Sequence, residues 1–122
     1  MLSHDAVFQS LGFELVHAEP GRATVRTLVR PDMTNSHGLC HGGYLFLLAD
    51  EAFALAGNAA RPGTVAASAS IEFLAPAQVG QTIEATAYES LAATRRWVFD
   101  AVVTADGEVV AAFRGMSARM RS

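Results

Sequence analysis

Lysine is absent from this 122-residue chain, cysteine occurs once, and charged residues make up only 17%. The lone Cys40 rules out an internal disulfide framework and fits a reducing compartment, so a cytoplasmic location is expected. A net charge of -3 leaves no basic excess, which excludes nucleic acid as an expected partner. Met1 to Ser10 lacks the basic segment and continuous apolar stretch of a secretory signal, and charges are nowhere absent for the length of a membrane span. Neither export nor membrane insertion is expected. With no lysine, all 9 basic residues are arginines. Their planar forks suit phosphate, although compositional bias explains the same pattern.

What is present is a chain 51% hydrophobic, long enough for one core and too short for two ordinary domains, so residues 1–122 are expected to form a single domain. Ser3 or Asp5 can cap a short first helix, read as a lid or flap, with Val7, Phe8 and Leu11 on one stripe and Gly12 as its stop. Phe13–His17 and Ala23–Val29 alternate apolar and polar residues around the turn Glu19-Pro20-Gly21-Arg22, which predicts a hairpin. Pro31–Gly43 has loop composition. Gly43–Ala60 then reads as a buried helix, apolar nearly all round except for Asp50 and Glu51, and so must be wrapped on most sides. Period-two alternation follows: Ala67, Ala69, Ile71 and Phe73 against Ser68, Ser70, Glu72 and Leu74, ending at Pro76. Strands near 81–90, 95–104 and 108–119 complete the chain, the last two joined by Ala105-Asp106-Gly107. The fold class is α+β, with a curved antiparallel sheet around one long helix.

Asp50 has Phe46, Leu47, Phe53 and Ala54 at helical spacing, and no Arg or His three or four residues away to pair with it. Burial without a partner raises a carboxyl pKa, and a shielded, basic carboxylate suits a general base. Gly42 stands at the helix start, where backbone N–H groups point outward, where the dipole favours anions and where a missing side chain permits close approach. The two are eight residues apart in sequence, roughly 12 Å along one helix, too far for one reacting carbon to touch both. A composite site at a dimer interface follows as an expectation. Glu51 points about 100° away from Asp50, so the two cannot share a proton in one site. His37, Cys40 and His41 superficially suggest a metal cluster, but the loop composition around Gly38 argues against the required geometry, and no metal or cofactor is expected. Adjacent Cys40 and His41 should diverge rather than act as nucleophile and base.

The stretch from Asn35 to Asn58 carries Asn35, then His41-Gly42-Gly43, then Leu48-Ala49-Asp50-Glu51-Ala52-Phe53-Ala54, and Phe113-Arg114-Gly115-Met116-Ser117 follows near the end. This pattern resembles the hotdog-fold acyl-CoA thioesterases of the phenylacetic acid degradation (PaaI) type over nearly the whole chain. The resemblance implies a homodimer with joined sheets, usually paired into a homotetramer, hydrolysing acyl-CoA without a metal, with phenylacetyl-CoA or hydroxyphenylacetyl-CoA as the favoured substrates. It also implies that the Gly42 N–H and the Asn35 amide hold the carbonyl; joined to the composite site expected from geometry, this has Asp50 of the other subunit activate water or attack directly. His41 would support polarisation, Ser68 would help hold the water, and Gly43 would line the substrate. Arg61, Arg95 and Arg96 are candidates for the CoA phosphates by turn position alone. A hotdog dehydratase and a non-catalytic acyl-CoA binding or sensing domain are the competing readings, disfavoured by the missing dehydratase motif and by the retained Asp50.

Overall fold

The computed structural model describes residues 6–119, and the caps Ser3 and Asp5 lie outside them. The elements run α1 (Ala6–Ser10), β1 (Glu14–Glu19), β2 (Arg22–Leu28), α2 (Gly42–Ala60), β3 (Thr64–Phe73), β4 (Thr82–Ala92), β5 (Arg96–Ala105) and β6 (Glu108–Arg119), with one tight helical turn at Pro31–Met33. All six strands form one antiparallel sheet in the order β1-β2-β4-β5-β6-β3. The expected α+β order is found. At about 4.8 Å between strands, six of them span roughly 24 Å, about twice the width of a helix, yet α2 contacts every strand. The sheet therefore curves around α2.

Packing explains the close fit. Ala49, Ala52 and Ala56 of α2 are fully enclosed and let its backbone approach the sheet, while Leu48 is completely buried. Phe53 packs on Phe99 and Phe113 with ring centroids 5.4 and 5.7 Å away. Gly115 of β6 makes room for it: a Cβ there would lie 2.8 Å from the Phe53 ring. Truncating a side chain such as Leu48 to Ala costs about 2–5 kcal/mol in cores of this kind.

Three expectations need correction. Helix α2 starts at Gly42, one residue earlier than the sequence suggested. Its wrapping is also less complete, because Gly43, Ala54 and Asn58 are exposed and Leu47 and Asp50 half-buried, all along one stripe. The sheet leaves that stripe open. The short α1 is pinned rather than flap-like: Phe8 is buried and meets Phe13 edge-on at 5.9 Å, and Gly12 ends the turn at a φ of 71°.

Both sheet edges differ from the interior, and β3 differs most. Nearly all of it is exposed, including Val65 at 45% and Phe73 at 55%. A register shift between Ala66 and Ser68 leaves Ala67 unpaired in count, with Ala66 opposite Ser117 and Ser68 opposite Met116. Residues directly opposite share a face of the sheet. On β6 the buried Phe113, Gly115 and Ser117 face α2, so Ser68, beside Met116, lies on the outer face.

Candidate active site

The loop before α2 is organised by Asn35. Its Oδ1 accepts from the N–H groups of His37 (2.9 Å) and Leu39 (3.2 Å), while its own N–H donates to the Leu39 carbonyl at 2.8 Å. The amide oxygen is thereby used within the loop, and the two Nδ2 hydrogens are the capacity that remains. His41 is the N-cap: its Nδ1 accepts from the Gly43 N–H at 3.1 Å. A neutral His41 so engaged carries its proton on Nε2, leaving an N–H donor on the exposed side of the ring. Among the described residues nothing accepts from the Gly42 N–H. Asn35, Gly42, Leu45, Phe73 and Leu74 line one cavity of about 470 Å³. The Phe73 ring presses on the helix start so closely that a Cβ on Gly42 would lie 2.9 Å from it.

Cys40 is buried beside this loop, its Sγ directed at the His41 carbonyl (3.6 Å), and burial pushes its thiol pKa up. A raised pKa keeps it a thiol, which does not suit a nucleophile. Among the described residues no three His, Cys, Asp or Glu side chains gather in a way that could hold a metal.

Asp50 lies two turns further along α2, half-buried, and lines a different cavity of about 240 Å³ together with Phe53, Gly57, Thr64, Ala66 and Ser117. The lone buried carboxylate expected from sequence is corrected in both respects: Asp50 is only partly enclosed, and it takes part in an interaction within the fold. Glu51 is buried at 6% exposure, and it too has a partner. Gly42 and Asp50 line separate cavities, in keeping with their separation along the helix.

The remaining candidates scatter. Ser68 opens onto a shallow outer-face depression with Ser70, Arg114 and Met116, and within one subunit it is not brought to Asp50. The hydroxyls beside Asp50 are those of Thr64 and Ser117, which sequence reasoning passed over. The signal was present in the alternation Phe113, Gly115, Ser117, which puts all three on the helix-facing side of β6. Arg61 is engaged by Glu89 through both guanidinium nitrogens, the second at 3.1 Å, and stacks 4.5 Å above Trp97. Its fork is occupied, which weighs against a phosphate role. Arg95 and Arg96 stand exposed at the β4–β5 turn, and among the described residues neither has a carboxylate partner.

Comparison with known proteins adds three findings. A family model described as the thioesterase superfamily matches residues 37–112. The acyl-coenzyme A thioesterase PaaI of Escherichia coli is 39% identical over 121 residues, covering 98% of this chain and 86% of that protein. Among solved structures, the PaaI protein from the phenylacetic acid degradation operon of E. coli superposes with a TM-score of 0.92 at 38% identity, over 98% of this chain and 87% of that one. A mutant of the phenylacetic acid degradation protein PaaI from Thermus thermophilus gives 0.91 at 38% identity, over 95% and 100%.

Proposed function

The chain belongs to the thioesterase superfamily and has the hotdog fold, and on that premise we propose that it hydrolyses acyl-CoA thioesters to a free acid and CoA. The observation that carries this reading is the separation of two chemically different poles on α2: unspent donors around Gly42, and a carboxylate in its own cavity at Asp50.

In this mechanism the thioester oxygen lies between the Gly42 N–H and Asn35 Nδ2, where the charge that develops on attack is stabilised by donors already in place and by the helix dipole. The Nε2–H of His41 adds a third donor at the rim. The partner subunit's Asp50 takes a proton from water as the water oxygen bonds to the carbonyl carbon, and direct carboxylate attack is the variant. The C–S bond then breaks and the thiolate leaves. A thiolate leaves without a strong general acid. The open β3 edge, long and partly apolar, is the natural place for a second copy to extend the sheet, which would set Asp50 of one subunit against Gly42 of the other. A homodimer, paired into a homotetramer, is part of the proposal.

The apolar walls Leu39, Leu45, Phe73 and Leu74 suit aryl or medium aliphatic acyl groups. Similarity to the PaaI proteins puts phenylacetyl-CoA and hydroxyphenylacetyl-CoA first. Arg95 and Arg96 are the proposed phosphate contacts, and Gly43 serves the site through the His41 N-cap. Among the described residues no helix is long and apolar enough to cross a membrane, and a cytoplasmic location completes the proposal. The test is thiol release from a panel of aryl and aliphatic acyl-CoAs by the wild type and by a folded Asp50→Asn variant. Turnover that collapses in the variant supports the reading. Binding without release favours a binding or sensing module, and a fully active variant removes Asp50 from the mechanism.

A further inference from the structure

We infer that the Ser117 hydroxyl holds the attacking water against Asp50, acting as a positioning residue supplied by β6. The inference rests on the thioesterase reading of Asp50. A nucleophilic water needs two to four polar partners to be held in one orientation. Within the Asp50 cavity the polar side chains are few, and most are already engaged. Thr64 Oγ1 donates to the Arg61 carbonyl at 3.0 Å, and Asn58 Nδ2 donates to the Ala54 carbonyl at 3.0 Å.

Ser117 is different. It is only 4% exposed, yet among the described residues its hydroxyl has no hydrogen-bond partner. No fully enclosed side-chain oxygen among those residues lacks a partner, so the Ser117 oxygen keeps access to the cavity it lines. A hydroxyl offers one proton and two lone pairs. Water can therefore give one hydrogen to Asp50 and the other to Ser117 Oγ, leaving an oxygen lone pair for the carbonyl carbon.

The sheet explains why this hydroxyl comes from β6 and not from β3. Up to the irregularity at Ala67, the β3 side chain opposite Ser117 is Ala66, which has no polar atom, and beyond it Ser68 is on the outer face. Gly115, two residues before Ser117, lets the Phe53 ring sink onto β6 and close one wall of the cavity with hydrocarbon. Asp50, Asn58, Thr64 and Ser117 are the polar side chains that remain in its lining.

The test compares wild type with Ser117→Ala, Ser117→Thr and Ser117→Cys in the full chain, using the acyl-CoA that the wild type hydrolyses best. Steady-state rates, thermal melting and the division of product between acid and hydroxamate in the presence of hydroxylamine are read together. Ser117→Ala is expected to lower kcat by about 10- to 100-fold with KM nearly unchanged, as a misplaced nucleophile does. Its products shift towards hydroxamate, because a free-moving nucleophile depends less on the lost contact. Ser117→Thr restores the rate, whereas the similarly sized but weakly hydrogen-bonding Cys does not, which separates this role from packing. If Asp50→Asn is inactive while Ser117→Ala keeps the wild-type rate and product ratio, the inference is overturned and the thioesterase reading stands. A rate loss in Ser68→Ala with none in Ser117→Ala overturns it equally. If the wild type releases no thiol from any acyl-CoA, the reading of Asp50 fails and takes this inference with it.

Discussion

The two halves of α2 are built from opposite materials. At its N-terminal end the chemistry is mostly backbone: the Gly42 N–H, a side-chain amide oriented by its own loop, and a histidine fixed as an N-cap. Two turns further on the chemistry is side chain, with a carboxylate and two hydroxyls in a cavity about half as large, about 240 against 470 Å³. The first half can stabilise a negative oxygen but holds no base aimed at it. The second holds a carboxylate but no helix start to receive the oxygen. On the proposed reading each half is incomplete for thioester hydrolysis, and a second copy of the chain would join them.

The contrast can be broken from either side. Asp50→Asn should have the largest effect, lowering kcat by about 10²- to 10⁴-fold with substrate binding retained, as the loss of a general base does; titration with a non-hydrolysable acyl-CoA analogue checks the binding. Gly42→Ala comes next, since its Cβ would meet the Phe73 ring at 2.9 Å. Displacing the ring and the nearby N–H should cost about 10- to 100-fold in kcat, somewhat less than outright removal of an oxyanion donor, measured at saturating substrate. Arg61→Ala sharpens the division between site and scaffold. It is expected to lower the melting temperature through loss of the Glu89 pair and Trp97 stacking, while KM for acyl-CoA stays within twofold, as tested by calorimetry and kinetics. The smallest effect lies outside both halves, at Asp100 on the outer sheet face. Its hydrogen bond to Arg114 holds its carboxyl below the usual value of 3.8. Stability from this pair is present above that pH and is lost as pH falls through the lower folded value. Asp100→Asn should flatten acid unfolding below about pH 4 and leave activity unaltered.

Local rules made most of the fold legible. Alternation and spacing located all six strands to within a few residues, and the apolar run located α2 to within one, because periodicity reports which faces are buried. The N-terminal half of the site was equally readable, since a loop, a cap and a helix start are short-range structures. Reading failed where long-range register decides. Ser117 looked incidental, yet the pairing of β6 with β3 and its packing on α2 bring it to the cavity that Asp50 lines, whereas Ser68, placed at the site by the resemblance alone, is on the outer face that its alternation with Ala69, Ile71 and Phe73 implies. The pairing of Arg61 was hidden for the same reason, since Glu89 is 28 residues away and only the sheet brings it near. The exposed stripe of α2 was hidden from composition, because a helix apolar on all sides looks the same whether its own sheet or a second subunit covers it.

Subunit mixing tests the central claim most directly. Asp50→Asn and Gly42→Ala chains, each strongly impaired alone, are unfolded together, refolded into hybrids and assayed for thiol release after the hybrids are separated by tags. A composite site places both defects in one of the two sites of a hybrid dimer and leaves the other site fully wild type. The hybrid should therefore recover close to half of the wild-type activity per dimer. Verified hybrids no more active than the mean of their parents would show that Gly42 and Asp50 act within one chain, and would contradict the account.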